Sequence, residues 1–242
     1  MKSQNENSGF GRVFREDERD NNFLVRDIIS MDTLPPIEKK FWWAEGWQGD
    51  QGRTPECVVY SWSHWLEDGP VIQNVIPGRP KPMFDTTELY NKCQRWDDIP
   101  GTRYEGTTVR AGAKILQKLG LIDEYRWART VDEVIASVTH LGPMVVGTEW
   151  FENMSRPTSH RHILRPSGKS NGGHAYLLNG VDTTKELFRI KNSWGTNWGD
   201  RGHAYISFNN FEKLLNRHGE ACVAFENKAS TVPILESLED PS

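Results

Sequence analysis

Cysteine is scarce in this 242-residue chain: Cys57, Cys93 and Cys222 are the only three, an odd set with no C-x-x-C pair. That argues against a disulfide framework and for a reducing compartment. Long apolar runs are missing too, and none approaches the ~18 residues that a membrane span needs. Met1 to Asn22 is polar and has neither an apolar core nor a small-residue cleavage site, so it is not a secretory signal, and a cytoplasmic location is expected. There is no basic excess: 29 Lys and Arg against 33 Asp and Glu leave a net charge of −4, with no Lys or Arg run to follow a nucleic acid. Phosphate-binding glycine loops of the GxxxxGK[ST] or strand-linked GxGxxG kind do not occur. Nucleic-acid, membrane and nucleotide partners are therefore not expected.

What the chain does hold is aromatic bulk, with ten Trp and ten Phe within a 36% apolar composition, enough for a sizeable core. Residues 1–36 read as a disordered or extended N-terminal segment, 37–226 as one folded unit, and 227–242 as an acidic tail with one apolar patch, Val232 to Leu235. Thr54 can cap a helix with Pro55 in its first position, and Val58, Trp62, Trp65 and Leu66 then recur at helical spacing until Gly69-Pro70. A second helix fits Thr107 to Leu119. A third begins at Thr130, where Thr130 and Glu133 match a capping box. Strands follow at Met144 to Trp150, His174 to Val181, Glu186 to Lys191, His203 to Ser207 and Ala221 to Glu226, with a short helix near Phe211 to Arg217. Helices first and strands later is an α+β pattern, and a cleft between a helical and a strand-rich part is where a site would form.

Several residues carry possible chemistry. Cys57 stands in the first helical turn, where the helix dipole favours a thiolate; a buried structural thiol is its ordinary alternative. Gln51, six residues earlier, can place an amide donor beside the Cys57 N–H, as an oxyanion needs; otherwise it is a solvated loop residue. His174 follows Gly172-Gly173 at a strand start, a place suited to a general base or simply to a loop histidine. Asn192-Ser193-Trp194-Gly195 follows a strand, and Asn192 there can accept a hydrogen bond from an imidazole, or the run can be a glycine-rich turn with packing tryptophans. His160 and His162 flank Arg161 with no carboxylate or Cys at ligand spacing, so no metal and no cofactor are expected.

Gln51 with Cys57, His174-Ala175, and Asn192-Ser193-Trp194-Gly195 through Gly202 together resemble the papain family of cysteine peptidases in order and spacing. His174 and Asn192 lie 117 and 135 residues after Cys57. The resemblance covers about residues 40–226. It implies a papain-like α+β fold of two lobes: a helical N-terminal lobe with its central helix starting near Cys57, and an antiparallel, β-barrel-like C-terminal lobe, with the active-site cleft between them. It also implies a nucleophile at Cys57, a base at His174, an orienting group at Asn192 and an oxyanion donor at Gln51. Trp194 would shield the His174–Asn192 bond. Glu105-Gly106-Thr107 resembles the loop that holds the substrate backbone, and Gly147 and Gly173 would lie near the pocket for the residue before the scissile one. The expected partner is a peptide or protein substrate.

There are departures. Thr54 stands where the family has a second Cys, Val58 replaces the aromatic residue after the nucleophile, and paired glycines are reduced to Gly106. Only 50 residues precede Gln51, too few for the family's large pro-segment, as in short bacterial or phage members. The same residues would also serve an acyltransferase or amidase on another amide, or survive in a non-catalytic binding module. The Val232 to Leu235 patch could enter the cleft, or the tail could simply be disordered.

Overall fold

The computed structural model describes residues 9–30, 34–35, 40–69, 82–101 and 104–228. The helices are α1 (Cys57–Glu67), α2 (Thr86–Trp96), α3 (Val109–Lys118), α4 (Val131–His140) and α5 (Phe208–Leu215). The strands are β1 (Lys40–Trp42), β2 (Ile122–Ala128), β3 (Met144–Phe151), β4 (Ser170–Asp182), β5 (Leu187–Lys191), β6 (His203–Ser207) and β7 (Glu220–Glu226). Among the described residues no helix is long and apolar enough to cross a membrane. Pro70 and the Val232 to Leu235 patch lie outside the described residues.

Local chemistry sets most of the helix starts. Thr108, Thr130 and Ser207 cap α3, α4 and α5 by accepting the N–H three residues on. Glu133 does not complete a capping box with Thr130; its carboxylate accepts the Arg129 N–H instead, at 2.6 Å. Helix α1 starts two residues later than the Thr54 cap implies. Its N-cap is Glu56, because the Thr54 hydroxyl and carbonyl are both taken by Gln51, at 2.8 and 2.7 Å. Helix α2 and the strands β1 and β2 are elements that periodicity alone does not reveal.

All strand pairs are antiparallel along the path β2-β7-β3-β4-β5-β6, with β1 added to β4. The path does not close into a barrel. Side chains alternate across the sheet, as its period of two requires. Met144, Val146, Tyr176, Leu178, Ala221 and Val223 enter one core with α4 and α5. Val145, Ala175, Leu177, Cys222 and Ala224 enter another with α1, α2 and α3. The N-terminal segment, expected to be disordered or extended, is described from Gly9. It makes two short 3-10 turns and adds Val25 and Ile29 to the first core.

Trp62 and Trp65 give α1 its apolar bulk, each fully buried and worth on the order of 1.5–3 kcal/mol or more. Trp62 crosses α3 at Gly112, and its Nε1–H donates to the Val109 carbonyl at 3.0 Å. A Cβ on Gly112 would fall 2.1 Å from Trp62 Cδ1. Gly112→Ala thus sets a helix-propensity gain of about 1 kcal/mol against an overpacking cost of about 1–3 kcal/mol. The ring cannot move without losing its hydrogen bond, so a lowered thermal midpoint is expected.

At the other end of α1, Asp68 meets Lys191 of β5 at 2.6 Å, with both side chains almost wholly buried. The Gly46 N–H and Asn179 Nδ2 also donate to this carboxylate. Asp68→Ala would leave Lys191 buried without its counter-charge, and chemical denaturation should show a loss of about 3–5 kcal/mol. Removing both charges together, as Asp68→Leu with Lys191→Met, should cost clearly less than Asp68→Ala alone.

Candidate active site

Cys57 is the first residue of α1 and is fully buried. Burial pushes its thiol up to about 11, against hydrogen bonds from the backbone of Ala175, Gly11 and Val58 that pull it down. The helix dipole was expected to favour the thiolate; in this closed arrangement desolvation outweighs it. Cys93 and Cys222 are also buried, and burial raises both.

The Ala175 backbone that acts on the thiol belongs to the residue next to His174. His174 Nε2 lies 2.8 Å from Asn192 Oδ1. That oxygen also accepts the Ser193 N–H at 2.9 Å, which fixes it as an acceptor. The proton therefore sits on Nε2, and Nδ1 keeps its lone pair. Nδ1 is buried and has no hydrogen-bond partner among the described residues. The imidazole is enclosed by aromatic rings: Trp150 at 4.7 Å, Trp194 at 4.9 Å and Phe10 at 5.7 Å between centroids. Burial lowers its pKa to about 4, with the Asn192 bond acting in the opposite sense.

Gln51 is buried beside this pair. Its Oε1 accepts from the Ser193 hydroxyl at 2.5 Å, so the amide presents its nitrogen elsewhere. One N–H goes to the Thr54 carbonyl at 2.7 Å and the other to the Gly9 carbonyl at 3.3 Å. The Gln51 backbone N–H reaches Ser193 O at 2.8 Å, which joins the loop before α1 to the turn after β5.

Gly106, Gly147 and Gly173 line one channel, whose occupant is the chain's own segment 10–13. A Cβ on Gly106 would meet the Gly11 carbonyl at 2.2 Å, and one on Gly173 the Arg12 carbonyl at 2.1 Å. One on Gly147 would meet Arg12 Nε at 2.7 Å and Glu220 Oε1 at 2.9 Å. Gly106 has φ +97°, a conformation that suits glycine. Its loop is held by α2: the Tyr90 hydroxyl accepts the Gly106 N–H at 2.7 Å, and Gln94 donates to the Gly106 carbonyl. Asp97 accepts the Thr107 hydroxyl at 2.8 Å. Sequence reasoning missed α2, Phe10, Arg12 and Glu220. Glu220 leaves one usable sign, a carboxylate opening the apolar strand Ala221–Phe225. Among the described residues no group of three or more His, Cys, Asp or Glu is placed to hold a metal.

A family model described as papain family cysteine protease matches residues 88–224, more than half of the chain. The chain belongs to the papain family of cysteine proteases. That match includes His174 and Asn192 and stops short of Gln51 and Cys57. A peptidase C1-like protein of Acanthamoeba polyphaga mimivirus is 26% identical over 178 residues, covering 56% of this chain and 53% of that protein. Cathepsin O of Mus musculus is 31% identical over 87 residues, 34% of this chain and 26% of that one. The chain thus spans about half or less of these curated relatives. In fold it is similar to xylellain, a cysteine protease from Xylella fastidiosa, with a TM-score of 0.67 at 20% identity, covering 91% of this chain and 97% of that one.

The depressed His174 has a consequence for stability. An unfolded imidazole takes a proton near 6.5, whereas the folded one resists until about 4. The unfolded state therefore binds more protons in that window, and stability present above 6.5 is lost as pH falls toward 4. Buried His64, also lowered by desolvation, adds to the same slope. Denaturant titrations from pH 7 to 4 should show a shallower loss in His174→Gln than in the parent, with the remaining slope due to His64 and other groups.

Proposed function

We propose that this chain is a cysteine peptidase in which Cys57, His174 and Asn192 form the catalytic triad. The observation that supports this most is the single bond from His174 Nε2–H to Asn192 Oδ1, which holds the ring in one tautomer with a bare Nδ1 on its other side. Nδ1 takes the Cys57 proton, and the resulting thiolate attacks the carbonyl carbon of a peptide bond. Charge then develops on the carbonyl oxygen. The donors for it are the Gln51 amide N–H now turned to Gly9 and the Cys57 backbone N–H, which heads α1 and has no partner within the helix. The imidazolium returns its proton to the leaving amine nitrogen as the C–N bond breaks and a thioester remains. Water, deprotonated by Nδ1, attacks the thioester and releases the acid and the thiol. Trp194 keeps water from the Nε2–H···Oδ1 bond, which is strongest in a dry setting. Substrate is a peptide or protein strand laid beside Gly106 and Thr107.

Cys57→Ala should abolish release of new N-termini from a denatured protein substrate. His174→Ala should lower kcat/KM by roughly 10²–10⁴-fold, the usual range for a general base. Asn192→Ala should lower kcat with little change in KM, because it orients the base and does not touch substrate. Full turnover by Cys57→Ala would refute the assignment. Hydrolysis of cell-wall amides but no peptide would move the chemistry to another amide class.

A further inference from the structure

Residues 9–14 thread the site from end to end. The Gly9 N–H donates to Gly52 O at 3.0 Å, and its carbonyl takes the Gln51 amide. Phe10 sets its ring edge-on to His174 and Trp194. Gly11 and Arg12 both donate to Gly173 O at 3.2 Å, while Thr107 donates to Gly11 O at 2.8 Å and accepts from Val13 at 2.9 Å. The strap leaves no room for side chains at two of its own positions. A Cβ on Gly9 would fall 2.0 Å from Thr54 O, and one on Gly11 2.0 Å from Pro55 O.

Arg12 is the deepest part of this strap. Its Nε donates to Glu220 Oε1 at 2.9 Å, and the two side chains are 4% and 6% exposed. Its NH2 group donates to the His218 carbonyl at 2.6 Å, and Gly147 lies against the side chain. Phe14 covers the guanidinium from outside, 4.9 Å from ring centroid to Cζ.

We infer that the pocket between Gly147, Gly173, His218 and Glu220 is an arginine-specificity pocket for peptide substrates, occupied in the resting chain by Arg12 of a strap that must leave before cleavage. This rests on the peptidase reading and names its substrate class. Glu220 is a buried carboxylate that needs a cation when Arg12 departs. A guanidinium can reach both the carboxylate and the His218 carbonyl through separate N–H groups, whereas a lysine ammonium is a single point. The strap is tied to the loop at Thr107 on both sides, through the Gly11 carbonyl and the Val13 N–H. It runs parallel to Thr107 at Arg12.

The test uses full-length chains. Gly11→Ala cannot seat beside Pro55, so it should unseat the strap. Arg12→Glu, repelled by Glu220, does the same without touching the backbone, and thermal unfolding checks that each variant folds. Both should raise the rate of Cys57 alkylation by iodoacetamide about tenfold or more over the parent. Fluorogenic peptide libraries scanned position by position should then show arginine favoured over leucine by about tenfold or more at one position. Adding Glu220→Gln to Gly11→Ala should bring the arginine-to-leucine rate ratio at that position close to one. Protection of Cys57 from alkylation by an arginyl peptide, compared with its uncharged citrullyl twin, reads the pocket without turnover. Cleavage with no arginine preference, or a preference that survives Glu220→Gln, overturns the pocket. Equal protection by the two peptides also overturns it. Unchanged alkylation in both strap variants overturns the mask. If arginyl peptides protect Cys57 and none is cleaved, the pocket stands and the peptidase reading fails.

Discussion

Helix α1 lies flat on the sheet beside β4, with Val58, Val59, Trp62 and Trp65 against Ala175 and Leu177 in one dry core. That contact is the constraint on which the rest depends. It puts the first residue of the helix, Cys57, against the backbone of Ala175, one residue from His174. Because the contact is apolar and closely packed, it fixes the distance without asking polar groups to compete with water. The Asp68–Lys191 pair holds the far end of the same helix to β5, so α1 is anchored at both ends.

The price of such a dry site is paid in ionisation. Burial keeps the thiol protonated and the imidazole neutral in the closed state, so neither member of the pair carries charge there. The strap adds to that burial: Gly9 takes the Gln51 donor and Phe10 covers the imidazole. Glycines line the contact, Gly106 facing the Gly11 carbonyl and Gly173 the Arg12 carbonyl. Two backbones approach that closely only where side chains are absent.

The elements most legible in the chain were those whose signals are local. Thr130 and the apolar periods of α4, β3 and β6 need only neighbouring residues to be read. Helix α2 escaped because Thr86–Trp96 is mostly polar, its buried side being little more than Leu89, Tyr90 and Cys93. Asp85 caps it by accepting the Glu88 N–H, but no apolar run follows that cap in the chain. Strand β2 escaped for a related reason: Asp123, Glu124 and Arg126 occupy an end strand of the sheet, where charge meets solvent rather than a second layer.

Residue types and their order were enough to nominate Gln51, Cys57, His174 and Asn192 as candidates, because the chemistry proposed for them demands particular side chains and tolerates few substitutes. Those same letters left the charge state of the thiol open, and the helix position alone pointed the wrong way for the closed form. Burial is a property of the whole fold, so only the assembled molecule could weigh desolvation against the dipole. The partnership of Arg12 with Glu220, 208 positions apart, was equally beyond sequence. Nothing near Arg12 in the chain marks it as a pocket ligand; only the close packing of strap, β3, β4 and β7 brings guanidinium and carboxylate out of water together.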